Sequence, residues 1–215
     1  MFCVACDVIT GLPEVADLVL ASASPRRREL LDQLGVHYVC DPADIDESFD
    51  PGESPRAYVE RMAREKAATV AARDHCAGKV VIAADTIVLV DDADVLGKPA
   101  DRFDGLAILA RLSGRRHRVI TAVCLQVQGT VSCELVETQV EFITLTRELC
   151  EAYLATDEPW DKAGAYGIQG MAGAFVRSIE GSYSNVVGLP LCETWQLLRA
   201  NGIATGLTPA DGSAR

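Results

Sequence analysis

Short apolar runs alternate with helical segments that carry their own start and stop signals, and this alternation narrows the fold more than any other feature of the chain. Leu18-Val19-Leu20-Ala21 reads as a strand. Ser24-Pro25 then opens a helix, because serine caps free backbone N–H groups and proline suits the first turn. Gly35 ends that helix, and Leu30, Leu31 and Leu34 form its apolar stripe. A second pair, Ser54-Pro55, opens a longer helix with Val59, Met62, Ala63, Ala67, Val70 and Ala71 on one face. Val80 to Val90 is a strongly apolar strand region interrupted by Asp85-Thr86, and the acidic run Asp91 to Asp94 reads as a turn. A helix over roughly Phe103 to Leu112 precedes strands over Val119 to Val127 and Val136 to Ile143. Thr146 caps a helix through Tyr153, and a last helix over Pro190 to Asn201 stops at Gly202. Helices interspersed with strands, together with direct strand–strand connections, predict an α/β fold with a mixed sheet flanked by helices.

The 215 residues suit one domain with at most a modest second lobe. Residues 1–16 read as an N-terminal extension, 17–204 as the folded domain and 205–215, rich in small and polar residues, as a frayed tail. A hydrophobic fraction of 49% supplies a sizeable core. The chain carries 20 basic and 31 acidic residues, a net charge of −11, which repels nucleic-acid backbones and anionic membranes. A small phosphorylated substrate remains compatible if positive charge is gathered locally. No apolar run approaches the roughly 20 residues needed to span a bilayer, and the N-terminus lacks the basic region of a cleaved leader. The eight cysteines mostly stand alone in apolar runs, as at Cys124, Cys150 and Cys192, the pattern of reduced, buried, cytosolic thiols. Cys3-Val4-Ala5-Cys6 is a lone C-x-x-C without the second ligand pair that zinc requires, so a bland extension is the favoured reading.

Positive charge is gathered at Ala21-Ser22-Ala23-Ser24-Pro25-Arg26-Arg27-Arg28, where a strand turns into a helix. Free N–H groups and the helix dipole attract phosphate there, and the arginines oppose that dipole unless an anion joins them. A solvated basic turn is the bland alternative. Asp85 lies between apolar flanks, where an ionised carboxylate is costly unless it is paired or holds a metal; the alternative is an aspartate capping a turn. Lys66 falls on or near the buried stripe of its helix, where a lysine alone would more simply snorkel. Lys98 lies between Gly97 and Pro99, and Asp46-Glu47 offers further carboxylates. Carboxylates for a divalent cation beside cations for phosphate oxygens are what phosphoryl transfer asks for. Arg115-Arg116-His117-Arg118 reads as a solvated basic turn, and His37, His75 and His117 form no convincing catalytic triad. The glycine-rich stretch Lys162 to Gly170 lacks a dinucleotide-binding fingerprint, but its glycines admit a flat ligand and Gln169 offers an acceptor and a donor to a base edge.

In these blocks the chain resembles the Maf family of nucleotide pyrophosphatases, over about Leu18 to Leu198. The resemblance is carried by Leu20-Ala21-Ser22-Ala23-Ser24-Pro25-Arg26-Arg27, Ala84-Asp85-Thr86, Gly97-Lys98-Pro99, Leu112-Ser113-Gly114 with His117, Asp161 to Gly170, Gly181-Ser182-Tyr183 and Val187-Gly188-Leu189-Pro190-Leu191. It departs in the N-terminal extension and in Ala83, where the family often has glycine. The resemblance implies a fold related to inosine triphosphate pyrophosphatases, with an elongated mixed sheet and a central cleft between two lobes. It also implies a homodimer, a cytoplasmic location and a divalent cation, Mg2+ or Mn2+. Carried over residue by residue, it gives Asp85 as the catalytic base, and Arg26, Thr86 and Gln169 as specificity positions. Phosphate contacts fall on Ser22, Arg27, Lys66 and Lys98, and metal contacts on Glu47 and Asp85. The Ala163-Gly164-Ala165-Tyr166-Gly167-Ile168-Gln169-Gly170 block resembles the dTTP/UTP subfamily rather than the one acting on 7-methyl-GTP. The implied reaction is hydrolysis of dTTP or UTP to the monophosphate and pyrophosphate. The rival expectation is a non-catalytic regulator of cell division that binds a nucleotide or protein partner.

Overall fold

A computed structural model describes residues 18–92 and 94–209. The extension with Cys3 and Cys6, and the end of the tail, lie outside the described residues. The elements follow the order β1 (Leu18–Leu20), α1 (Pro25–Gln33), β2 (Tyr38–Cys40), α2 (Pro55–Ala71), β3 (Val80–Leu89), β4 (Val95–Leu96), α3 (Arg102–Leu112), β5 (Arg116–Val127), β6 (Thr130–Phe142), α4 (Arg147–Tyr153), β7 (Val176–Glu180), α5 (Tyr183–Val187) and α6 (Leu191–Ala200). The expected caps are in place: Ser24, Ser54 and Thr146 accept the N–H groups of Arg27, Ala57 and Leu149. Gly35 leaves α1 at φ +63°, which a side chain would strain.

The seven strands form one mixed sheet in the order β2-β1-β3-β5-β6-β7, with β4 on part of the free edge of β3. β1 runs parallel to β2 and β3, while β3, β5, β6 and β7 are successively antiparallel. Alternation along β3 sorts its side chains. Val81, Ala83, Ile87 and Leu89 pack with α2, and Val80, Ile82 and Ala84 join the core under α1 and α6. Val88 continues that second face into a separate core around α3 and α4. These two cores share one sheet, with β3 and β5 contributing to both.

Several expectations are corrected. Asp85-Thr86 does not interrupt β3: the strand is continuous, because backbone pairing to Ala122 and Thr121 is indifferent to the polar side chains. Cys124 and Cys133 face each other across β5 and β6 with Cα atoms 4.1 Å apart and are joined by a disulfide, a proximity created by register and invisible in spacing alone. Cys192 is exposed rather than buried. The start of the expected tail is also ordered. Thr205 is buried, and the Gly206 N–H donates to the Leu34 carbonyl at 2.8 Å, tying this segment to the end of α1.

Candidate active site

The sheet itself opens the site. β1 ends beside Ile82, whose carbonyl accepts the Ala21 N–H at 2.8 Å, and β4 meets β3 only at Val88 and Leu89. The edge of β3 between these points has no strand neighbour in the described sheet, at the carboxyl end of β1, where open α/β sheets receive ligands. Asp85 and Thr86 occupy this gap and point to opposite faces. A cleft of about 600 Å³ surrounds them, lined by the β1–α1 turn, the Pro42–Tyr58 region, Gly97-Lys98, Asp161 to Ala163, and Val186 to Gly188.

On the α2 face, Lys66 donates to Asp85 Oδ1 at 2.7 Å and its Nζ lies 2.6 Å from Glu47 Oε1. Two carboxylates from distant segments thus converge on one ammonium that is largely withdrawn from solvent. Burial pushes the Glu47 carboxyl upward, but the Lys66 hydrogen bond and charge, with Lys98 and Arg27 beyond, outweigh it and hold the group below the ordinary carboxylate range. The loop carrying Glu47 is fastened on several sides. Tyr58 donates to the Glu47 carbonyl at 2.8 Å and stacks on Phe49 at 3.7 Å between ring centroids, and Arg61 donates to the Ser48 carbonyl. Burial pushes the Tyr58 phenol up to about 12, so it remains a donor at neutral pH. Asp41, at the root of this loop, accepts from Arg73 and lies within hydrogen-bonding reach of His75 and Cys76.

On the opposite face, Arg27 donates through Nε to the Gly188 carbonyl at 2.8 Å, through Nη2 to Thr86 at 3.1 Å and through Nη1 to Ser22 at 3.4 Å. Burial lowers its affinity for the proton, Asp85 opposes this and neighbouring Arg26 adds to it. The guanidinium keeps its charge in that setting because arginine starts so far above neutrality. Arg26 reaches across the cleft mouth to Asp161 at 3.0 Å. Lys98 is exposed on the cleft wall, near enough for its charge to favour the ionised Glu47 carboxylate. A helix N-terminus, two arginines and a lysine therefore face a carboxylate pair across one cavity, an anion cradle beside an acidic centre.

The cleft gathers Ser22, Arg26, Arg27, Glu47, Lys66, Asp85, Thr86 and Lys98. Gln169 is the exception: it is exposed and stands outside the residues that line the cleft. Lys66, for which snorkelling was the simpler reading, is paired twice. His117 is no solvated basic turn either. It is buried, with Nε2 2.8 Å from the hydroxyl of Tyr166, a cleft-lining residue, and burial drops its pKa to about 4. Sequence reasoning passed over Thr121 and Tyr58; the only signal for Thr121 was a hydroxyl inside the apolar run of β5.

Fold and cleft together define a class: an α/β protein whose cleft, at the open edge of a mixed sheet, sets basic side chains beside a pair of carboxylates. A family model described as Maf-like protein matches residues 17–201, and the chain belongs to that family. It is 54% identical over 190 residues to a protein named dTTP/UTP pyrophosphatase from Anaeromyxobacter sp. (strain Fw109-5), covering 86% of this chain and 89% of that one. It is 50% identical over 194 residues to a dTTP/UTP pyrophosphatase of Hahella chejuensis, covering 90% and 96%. A Shewanella sp. (strain MR-7) protein of the same name is 49% identical over 195 residues, covering 87% and 99%.

Proposed function

We propose that this chain hydrolyses the α–β phosphoanhydride of dTTP or UTP, giving the monophosphate and pyrophosphate. The observation that carries the reading is the placement of Asp85 and Glu47 on one ammonium, in the cleft that Arg27 and the α1 N-terminus also line. The names of the relatives supply the substrate class.

Asp85 takes the proton of the attacking water, and the Lys66 hydrogen bond holds that carboxylate aimed until substrate enters. Arg27, Arg26, Lys98 and the Ser22 region take the phosphate oxygens, so charge that spreads over them in the transition state meets preset donors. The carboxylate oxygens of Asp85 and Glu47 suit a hard divalent cation, Mg2+ or Mn2+, since both already reach one shared cation site at Lys66 Nζ. Such an ion would neutralise the phosphates. Thr86 contributes to base discrimination from the cleft floor. A homodimer and cytoplasmic residence, both carried from the family resemblance, complete the proposal. Among the described residues the free thiols Cys40, Cys76, Cys150 and Cys192 suit a reducing compartment.

A pure binder has no use for paired carboxylates facing an anion cradle, which disfavours the regulatory reading. The test is pyrophosphate release over a panel of dTTP, UTP, CTP and 7-methyl-GTP with added Mg2+ or Mn2+. Preference for dTTP and UTP is expected; release from the methylated purine alone would remove the substrate assignment.

A further inference from the structure

Behind the cleft floor, a chain of hydrogen bonds runs away from Arg27. Arg27 Nη2 donates to Thr86 Oγ1 at 3.1 Å, Thr86 Oγ1 lies 3.0 Å from Thr121 Oγ1, and Thr121 Oγ1 donates to the Asn185 carbonyl at 3.0 Å. The ends fix its direction. A guanidinium only donates and a carbonyl only accepts, so the Thr121 proton goes to Asn185 and the Thr86 proton goes to Thr121. The path closes on itself: the Asn185 carbonyl also accepts the Gly188 N–H at 3.0 Å, and the Gly188 carbonyl accepts Arg27 Nε at 2.8 Å.

We infer that Thr121 is a positioning residue for the nucleotide site, acting through Thr86 on Arg27; the inference rests on the proposed function. Thr121 is fully buried and opposes Thr86 across the β3–β5 ladder, outside the cleft lining, so it touches no substrate. Its hydroxyl does two things. It consumes the single proton of Thr86, leaving Thr86 to face the cleft as an acceptor only, able to receive a base N–H and unable to donate to a phosphate oxygen. It also holds Thr86 Oγ1 where Arg27 Nη2 meets it, so the guanidinium, bonded as well to the Gly188 carbonyl and Ser22, is anchored before any phosphate arrives.

Thr121→Val removes the hydroxyl at nearly constant shape. The Asn185 carbonyl keeps its Gly188 N–H partner, so the thermal transition should survive. The expected loss is about tenfold in kcat/KM for dTTP, one hydrogen bond's worth of alignment, with Thr121→Ser within about twofold of wild type. Because Thr121 acts through Thr86, the double variant Thr86→Val/Thr121→Val should be no worse than Thr86→Val alone. Should the valine variant not fold, Thr121→Ala carries the same expectations. Calorimetry with inorganic pyrophosphate as the probe reads the Arg27 cradle without turnover, and Thr121→Val should weaken that binding while Thr121→Ser retains it. Wild-type kinetics and pyrophosphate binding in Thr121→Val, or a loss that adds in full to that of Thr86→Val, would overturn the inference. A wild type that binds pyrophosphate but hydrolyses no nucleotide would instead overturn the functional reading, and the binding comparison would still decide the role of Thr121.

Discussion

His117 links the site to pH. Its ring is 1% exposed, enclosed edge-to-face by Phe142 and Tyr166, with Nε2 on the Tyr166 hydroxyl and Nδ1 buried without a hydrogen-bond partner among the described residues. Burial lowers the pKa from 6.5 to about 4, so the folded state keeps the imidazole neutral while the unfolded chain protonates it. Between those values the unfolded state binds more protons, and stability must fall as pH drops through that window. The contribution lost is about 2 kcal/mol by pH ~5 and about 3 kcal/mol once the folded pKa is passed. His117→Gln keeps a polar partner for Tyr166 and cannot titrate. The assay is urea unfolding of both proteins from about pH 8 to about pH 5, taking the difference between them so that carboxylates common to both cancel. The variant should gain on wild type by about 2 kcal/mol across that range. A difference independent of pH would refute the buried, neutral imidazole.

Asp85→Asn should reduce turnover by at least about a hundredfold with an unchanged thermal transition, measured by pyrophosphate release and calorimetry. Lys98→Ala, removing an exposed cation, should lower kcat/KM and leave the melting temperature alone. Lys66→Ala strands two carboxylates and should cost about 2–3 kcal/mol in urea unfolding as well as activity, a cost that added Mg2+ partly restores. Gly164→Ala should destabilise by about 2 kcal/mol: its φ is +74° and a methyl group would lie 3.1 Å from Val88 Cγ1, so thermal melting should detect it.

Caps, stripes and alternation were legible because they are local: Ser24-Pro25, Ser54-Pro55 and the α2 face follow from short-range chemistry. Asp85 announced itself as a charge without an excuse in an apolar strand. Its partners did not, since Lys66 and Glu47 reach it only through the packing of α2 and its preceding loop on the sheet. Register hid the rest. Nothing in the spacing of Cys124 and Cys133, or of Thr86 and Thr121, shows that each pair meets across a strand ladder. His117, in a run of arginines, looked solvated because its neighbours on the strand point outward while it points in.

Which phosphoanhydride bond breaks decides the proposed function. Wild-type protein incubated with dTTP and Mg2+ in ¹⁸O-enriched water, with products followed by phosphorus NMR, tests it most directly. Equimolar dTMP and pyrophosphate are expected, with the heavy oxygen on one of the two and never in free phosphate; dTDP with labelled orthophosphate would rule out cleavage between the α and β phosphates.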